Sequence, residues 1–428
     1  VIPTTAVVLL ALLALSVPVA VAVGVLGLVL DQLYSPLPLY RALGEVTWSA
    51  STDFLLVAIP LFILLGEILL RSGIAERMYA AMVQWLSWLP GGLMHSNVAA
   101  CAMFAAISGS SVATAATIGT VAIAEIDKRG YNERFFLGTL AAGGTLGILI
   151  PPSINMIVYG VLTQTSIPQL YLAGIVPGVV LSALFMVTVL VGCLIRPEWG
   201  GRKVRTDWSS RIAALPDLIP PLLIFIVVIG SIYAGLATAT ESAALGVLAA
   251  FALAGVRRRL TWPVLREIVE GTMKTTGMIM AILVGAYFLN FVMISIGLAR
   301  IVSDTITHLG WSPAQTLFAV IVFYVILGMF METLSMMVAT IPIVTPIMVG
   351  MGYDPVWFGV LIILLIETAL ITPPVGLNLY VVQGVRPRGP IADVIIGAAP
   401  FVVTLFAMIA FLSFFPAFAL WIPQSAMR

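Results

Sequence analysis

Two proline pairs, Pro151-Pro152 and Pro373-Pro374, stand inside apolar stretches of helix length and lie 222 residues apart. A proline lacks the N–H that an inner helical turn needs, so each pair must stop, kink or unwind its helix. Kinking alone is the less favoured reading, because the pairs stand at matching repeat positions and each is followed by an asparagine, Asn155 and Asn378. The rest of the chain leaves hydrocarbon as its solvent: 61% of the 428 residues are apolar, 9% are charged, and the mean hydropathy is +1.14. No water-soluble fold of this length hides so much apolar surface, so a polytopic all-α membrane protein is expected.

Helix-length apolar runs cover Thr4–Leu30, Phe54–Leu70, Arg134–Thr163, Gln169–Ile195, Asp217–Gly235, Glu241–Gly255, Thr276–Gly297, Val356–Gln383 and Ala392–Trp421. Each suffices for about 30 Å of hydrocarbon at about 20 residues per crossing. Thr4–Leu30 is too long for a signal-peptide core and lacks a basic leader, so it reads as one span. The missing initial Met suggests a trimmed chain or one half of a fusion. Ala75–Trp88 and Ala299–Trp311 mix apolar and polar residues, as interfacial helices with Trp anchors do. Cys101 and Cys193 sit in separate apolar segments and give neither a disulfide framework nor a thiolate metal site.

The 222-residue offset also takes Gly130-Tyr131 to Gly352-Tyr353, Phe136 to Phe358 and Pro168 to Pro390. With one or two residues of slippage it takes Trp88 and Pro90 to Trp311 and Pro313, and Gly73 and Ala75 to Gly297 and Ala299. Two repeats are therefore expected, 1–212 and 213–428. Residues 91–127 and 314–350 must either cross the bilayer or turn back within it. If both turn back, the broken helices 134–163 and 356–383 run in opposite directions. All Lys and Arg except Arg41, Arg300 and Arg428 then fall on one face, which the positive-inside rule makes cytoplasmic. That imbalance supports an inverted repeat with two re-entrant hairpins, the first entering from the cytoplasm and the second from outside. The N-terminus is then inside and the C-terminus outside.

Unpaired backbone at membrane depth costs several kcal/mol per group, so it survives only within protein or beside a polar cavity. Such backbone is expected at the turns Ser108–Ser111 and Met331–Ser335, and at the breaks Gly147–Pro152 and Pro373-Pro374. Freed carbonyls suit a cation, while helix N-termini and the hydroxyls of Ser110, Ser111, Thr114 and Thr333 suit an anionic group. No Lys or Arg falls at this centre, so an anion there needs hydroxyls, amides, helix ends and a co-bound cation.

The stretches LFILLGEILLRSGIAER (Leu61–Arg77), ISGSSVATAATIG (Ile107–Gly119), GILIPPSINMIVYG (Gly147–Gly160), ATATESAALGV (Ala237–Val247) and ITPPVGLNLYVV (Ile371–Val382) occur in that order. Here the chain closely resembles, over essentially its whole length, the large membrane subunit of tripartite ATP-independent periplasmic (TRAP) transporters. The resemblance implies an elevator-type carrier in a bacterial or archaeal inner membrane. It implies sodium-driven uptake of an organic acid, a dicarboxylate or an acidic sugar such as sialic acid, with sodium as coupling ion and no other cofactor. The implied partners are a small membrane subunit, separate or fused, and a periplasmic substrate-binding protein; no nucleic acid is involved. Sodium ligands are implied at Ser108, Gly109, Ser110 and Ser111 with Gly147 and Pro151, and at Met331, Glu332 and Thr333 with Thr372, Pro373 and Gly376. Substrate contacts are implied at Ser110, Ser111, Thr114, Ser153, Asn155, Thr333 and Asn378. The second hairpin departs from symmetry, with Met331-Glu332-Thr333 where the first has Gly109-Ser110-Ser111.

Plainer readings stand beside these. Ser108 and Thr117 serve equally well as small packing residues. Thr238 and Glu241 have capping-box spacing, so Glu241 reads as a structural cap. Glu332, near a hairpin turn, reads as a coupling carboxylate ahead of a structural hydrogen bond. Glu67, Glu125 and Glu367, near helix ends or polar partners, read as structural. His95 and His308 have no partner at metal-ligand spacing. Met329, Met331, Met336 and Met337 read as packing around a moving hairpin. Three rivals remain: a related carrier without a binding protein, an intramembrane enzyme using Ser110 or Ser111, and a passive channel. The enzyme lacks a placed His or Lys base, and the channel leaves the paired breaks unexplained. No P-loop is present, so the chain is not expected to hydrolyse ATP.

Overall fold

The computed structural model describes residues 1–202, 204, 206–298, 300–302, 304, 310–386 and 388–426; Lys203, Arg205, Ala299, His308 and Arg428 lie outside the described residues. Every regular element among the described residues is helical. Among the described residues, six helices are long and apolar enough to cross a membrane: Phe54–Arg71, Ile167–Ile195, Ala239–Val256, Trp262–Ser295, Thr333–Gly350 and Ile391–Phe414.

The chain opens with α1 (Ile2–Ala14), α2 (Val19–Tyr34), α3 (Leu43–Thr52), α4 (Ala58–Arg71) and α5 (Ile74–Leu86). Thr4–Leu30, expected as one span, is thus two helices. Ser16 turns to φ +57° and Pro18 stands directly before α2. The Thr4 and Tyr34 hydroxyls meet at 2.5 Å, so α1 folds back along α2. Helices α1 and α2, of 13 and 16 residues, are each shorter than the span expected of Thr4–Leu30. Helix α5 occupies the segment expected to be a short amphipathic helix, entered through Gly73 at φ +71°.

Next come α6 (Leu93–Ser108), α7 (Ser111–Ala122), α8 (Ala124–Arg129), α9 (Glu133–Thr145), α10 (Ile154–Thr163) and α11 (Ile167–Ile195). With 16 and 12 residues, α6 and α7 reach only about 24 and 18 Å, short of the roughly 30 Å hydrocarbon core. They pack on each other across the break at Gly109, as hairpin arms do. Helices α9 and α10 are the two pieces of the expected broken helix.

Then α12 (Trp208–Ala214), α13 (Ile219–Tyr233), α14 (Ala239–Val256) and α15 (Trp262–Ser295) follow. Helix α15 starts well before the apolar run expected from Thr276. Its polar first part holds helical geometry through pairs such as Arg266–Glu270 at 2.7 Å, four residues apart, which hydropathy does not register.

Helices α16 (Pro313–Gly328) and α17 (Thr333–Gly350) make the second hairpin, α18 (Pro355–Leu370) and α19 (Leu377–Val385) the second broken helix, and α20 (Ile391–Phe414) and α21 (Ala417–Ala426) close the chain. The run Ala392–Trp421, expected to be continuous, divides at Phe415-Pro416, where Pro416 has no amide to continue α20. The Pro151-Pro152 and Pro373-Pro374 peptide bonds are both cis.

Packing sorts these helices into two groups. Helix α15 lies along α2 and α4, and α14 along α4 and α13, while α9 packs with α6, α7, α19 and α20, and α18 with α16, α11 and α20. Gly138 of α9 and Gly397 of α20 let those backbones touch, the small-residue contact that membrane helices favour.

Candidate functional site

The first hairpin ends α6 at Gly109, which takes φ +62°, and restarts at Ser110, whose hydroxyl accepts the Ala113 amide at 3.4 Å. Thr114 donates its hydroxyl to the Ser110 carbonyl at 2.7 Å and lies 3.1 Å from the Ser108 hydroxyl. The end of α9 passes directly against this tip. A Cβ at Gly147 would stand 2.5 Å from the Ser110 carbonyl oxygen and 2.8 Å from the Ser111 amide nitrogen, so only glycine permits the approach. Beyond the break, the Ile154 amide reaches the Gly109 carbonyl at 3.5 Å. Ser153 donates to the Ile148 carbonyl at 2.6 Å while capping α10. The structure thus gathers Ser108–Ser111, Thr114, Gly147 and Ser153 around the break that contains Pro151.

The second half repeats this joint with different side chains. The Val375 amide donates to the Met329 carbonyl at 3.1 Å, tying the break to the turn of its hairpin. Gly376, at φ +47°, starts α19, and the Thr372 hydroxyl donates to the Thr368 carbonyl at 2.6 Å. Glu332 caps α17. Its carboxylate accepts the amides of Leu334 and Ser335 at 3.1 and 3.0 Å and the hydroxyls of Thr333 and Ser335 at 2.9 Å each. Glu332 thus has a structural role as a cap, held by four donors where the helix dipole favours negative charge.

The halves meet through Asn378, whose side-chain amide donates to the Ala141 carbonyl at 3.2 Å, and through Gly144, which faces Asn378 and Ala115. Asn155 and Asn378 are both buried. Asn378 Oδ1 and Asn155 Nδ2 have no hydrogen-bond partner among the described residues. One is a spare acceptor and the other a spare donor. Leaving such groups dry is costly, so they are natural contacts for a cation and an anion.

Two features escaped the sequence reading. Glu367 was assigned a structural place near polar partners. Instead it is fully buried in α18, and neither carboxylate oxygen has a hydrogen-bond partner among the described residues. The available signal was a lone carboxylate in an otherwise apolar helix, little more than a turn before a proline pair. The other feature is an ion-pair knot around Arg386, whose side chain is only 3% exposed. It bonds Glu133 at 2.8 Å and Asp393 at 3.0 Å, and Arg134 also reaches Asp393 at 2.8 Å. The knot joins the starts of α9 and α20 to the end of α19.

Other carboxylates behave as expected. Glu67 pairs with Arg71 at 2.9 Å, and Glu241 completes the capping box with Thr238. Hydrogen bonds from Arg129 at 2.7 Å and Lys128 at 3.1 Å hold the Glu125 carboxyl below the usual carboxylate range. His95 is buried and bonds the Pro90 carbonyl at 2.8 Å.

The model of the family described as "Tripartite ATP-independent periplasmic transporter, DctM component" matches residues 6–418. The chain belongs to the DctM family. The C4-dicarboxylate TRAP transporter large permease protein DctM of Vibrio cholerae is 31% identical over 96% of this DctM-family chain and 95% of its own length. The sialic acid TRAP transporter large permease protein SiaM of the same organism is 32% identical over 87% of each. Among solved structures, the YdaH transporter of Alcanivorax borkumensis superposes with a TM-score of 0.59 at 15% identity, over 90% of this chain and 88% of that one, a likeness of fold alone. The DctM-family chain is therefore a multi-pass membrane subunit of a bacterial transporter. Large permeases of this family work with a small membrane subunit and a periplasmic binding protein.

Proposed function

We propose that this DctM-family chain carries an organic acid inward by sodium symport, receiving it from a periplasmic binding protein and working beside a small membrane subunit. The observation that carries the reading is the pair of joints in which each hairpin turn is hydrogen-bonded to the break of its own half, Ile154 to Gly109 and Val375 to Met329. Two such joints, connected through Asn378, give one body with broken backbone on both sides of a common centre. In this reading 1–212 and 213–428 are inverted repeats, and the body moves across the membrane as an elevator. The Lys- and Arg-rich face is cytoplasmic.

Sodium is held by Ser108, Gly109, Ser110 and Ser111 with Gly147 and Pro151, and by Met331, Glu332 and Thr333 with Thr372, Pro373 and Gly376. The acid is held by Ser110, Ser111, Thr114, Ser153, Asn155, Thr333 and Asn378. Relatives named for C4-dicarboxylates and for sialic acid support a carboxylate cargo. Each net charge carried inward draws about 2.3 kcal/mol per 100 mV of membrane potential.

The test is uptake of labelled C4-dicarboxylates and sialic acid into proteoliposomes holding the full complex, with binding protein outside. A sodium gradient is expected to drive accumulation of one of them, and replacing sodium by potassium to stop it. Equal accumulation in both salts rules out sodium coupling.

A further inference from the structure

Two buried carboxylates among the described residues lie outside the site above: Asp31, which accepts the Leu39 and Tyr40 amides, and Glu367. Glu367 differs in having no partner among those residues. It is fully buried, and both oxygens lack a hydrogen-bond partner among the described residues. At about 100° per residue, it lies about 80° round α18 from Gly359, which faces Tyr159 and Leu170. It lies about 80° the other way from Trp357, whose indole N–H donates to the Leu412 carbonyl. Ala369, which packs on Gly328 of the second hairpin, points to nearly the opposite side. The Glu367 side chain is therefore directed inward, at the seam where α11 packs on α20 through Phe185 and Phe401. The hydroxyls along that seam are occupied, Ser182 by the Gly178 carbonyl at 2.8 Å, and Thr188 and Thr404 by each other at 2.7 Å.

The elements packed on α18 bring no counter-charge to this carboxyl. Their charged residues are Glu133 and Arg134 of α9 and Asp393 of α20, all committed to the Arg386 knot, and Glu332 at the cap of α17, held by its four donors. Their other titratable groups are Tyr324 of α16, Tyr159 of α10, Tyr171 and Cys193 of α11, and Tyr380 of α19. Helices α17 and α21 and the turn Leu146–Ile148 have none. A bare carboxylate in such surroundings is strongly disfavoured. Sodium needs several oxygen ligands at once, and the hydroxyls along the seam are already bonded elsewhere. A proton needs none beyond the carboxylate itself.

We propose that Glu367 is a proton-carrying site of the mobile body. The carboxyl takes H⁺ from water when movement at the 371–376 break opens the α11–α20 seam, holds it as the neutral acid while α18 is packed as here, and returns it to water when the seam opens again. The site is additional to the sodium ligands, and it rests on the carrier reading only for what the proton accomplishes.

Two measurements on the full complex in lipid test this. Infrared spectroscopy of the resting protein is expected to show a protonated-carboxyl C=O band at neutral pH that shifts in D₂O and is absent from Glu367→Gln. Substrate accumulation is expected to depend on external pH, by up to roughly the tenfold per pH unit that one linked proton allows, and Glu367→Gln is expected to flatten that dependence. Should Glu367→Gln fail to insert, Glu367→Asp decides, because it is expected to move both the band and the pH profile. A wild type without the band, or variants with an unchanged pH profile, overturns the proposal. The band is read without transport, so a complex that shows the band yet moves no acid would refute the carrier reading and leave the proton site standing.

Discussion

The two hairpin tips occupy the same place in their halves and solve the same backbone problem with different chemistry. Ser110 and Glu332, 222 residues apart, each cap the helix that leaves the turn. The serine is neutral and accepts one amide, at 3.4 Å. The glutamate presents a carboxyl group and accepts four donors between 2.9 and 3.1 Å. The first tip instead gains its rigidity from contact, since Gly147 lies directly against Ser110 and Ser111. One tip is thus held by close packing against its break and the other by its own cap. The two tips share the backbone role and differ in the side chain that fills it.

The sharpest way to break this comparison is at the glycines. Gly147→Ala puts a methyl 2.5 Å from the Ser110 carbonyl, and overpacking of that kind costs about 1–3 kcal/mol. Uptake is expected to fall at least roughly tenfold, because the strain falls on the tip itself. Gly376→Ala meets mainly the flexible end of Leu379, with the Thr372 carbonyl at 3.0 Å, so its cost is expected to be the left-handed backbone, about 1 kcal/mol. Equal losses of uptake in the two variants would erase the distinction between a packed tip and a capped one.

Capping is next in size. Glu332→Ala removes the acceptor for four donors and is expected to lower stability by about 2 kcal/mol, against about 1 kcal/mol or less for Ser110→Ala. Thermal unfolding of the purified variants measures both, and the reverse order would contradict the account of the second tip. The smallest effect is expected at the bridge between halves. Asn378→Ala loses one neutral hydrogen bond to Ala141, worth about 1 kcal/mol, while sodium affinity falls more than stability does. An Asn378→Ala protein with unchanged sodium titration removes Asn378 from the cation site.

Much of this was legible in sequence because glycine and proline state backbone requirements directly. The turns at Gly109 and near Met331, and the breaks at Pro151 and Pro373, fall where those residues put them. The N-terminal hairpin was hidden because apolar residues continue on both sides of Ser16, and only the Thr4–Tyr34 contact shows that the chain turns back. Helix α15 was cut short because hydropathy cannot follow a helix into polar sequence. The settings of Glu332 and Glu367 were not legible for a physical reason. Proximity to a turn suggests function, yet a turn is also where amides await an acceptor, whereas the interior of an apolar helix offers a carboxylate nothing.

The Arg386 knot bears on how faithfully such a carrier could count its cargo. Glu133 and Arg134 begin the broken helix of one half, Arg386 ends that of the other, and the guanidinium between them is almost wholly shielded from water. Screening by salt reaches the Asp393 contact less than the Glu133 contact, whose carboxylate side chain is 38% exposed, so the knot works as a tie rod that slackens only in part as salt rises. A displacement of one half is passed to the other as tension rather than absorbed as shear. If the body travels, both compartments travel on the same stroke, and a half-loaded excursion would have to stretch this tie before it could slip.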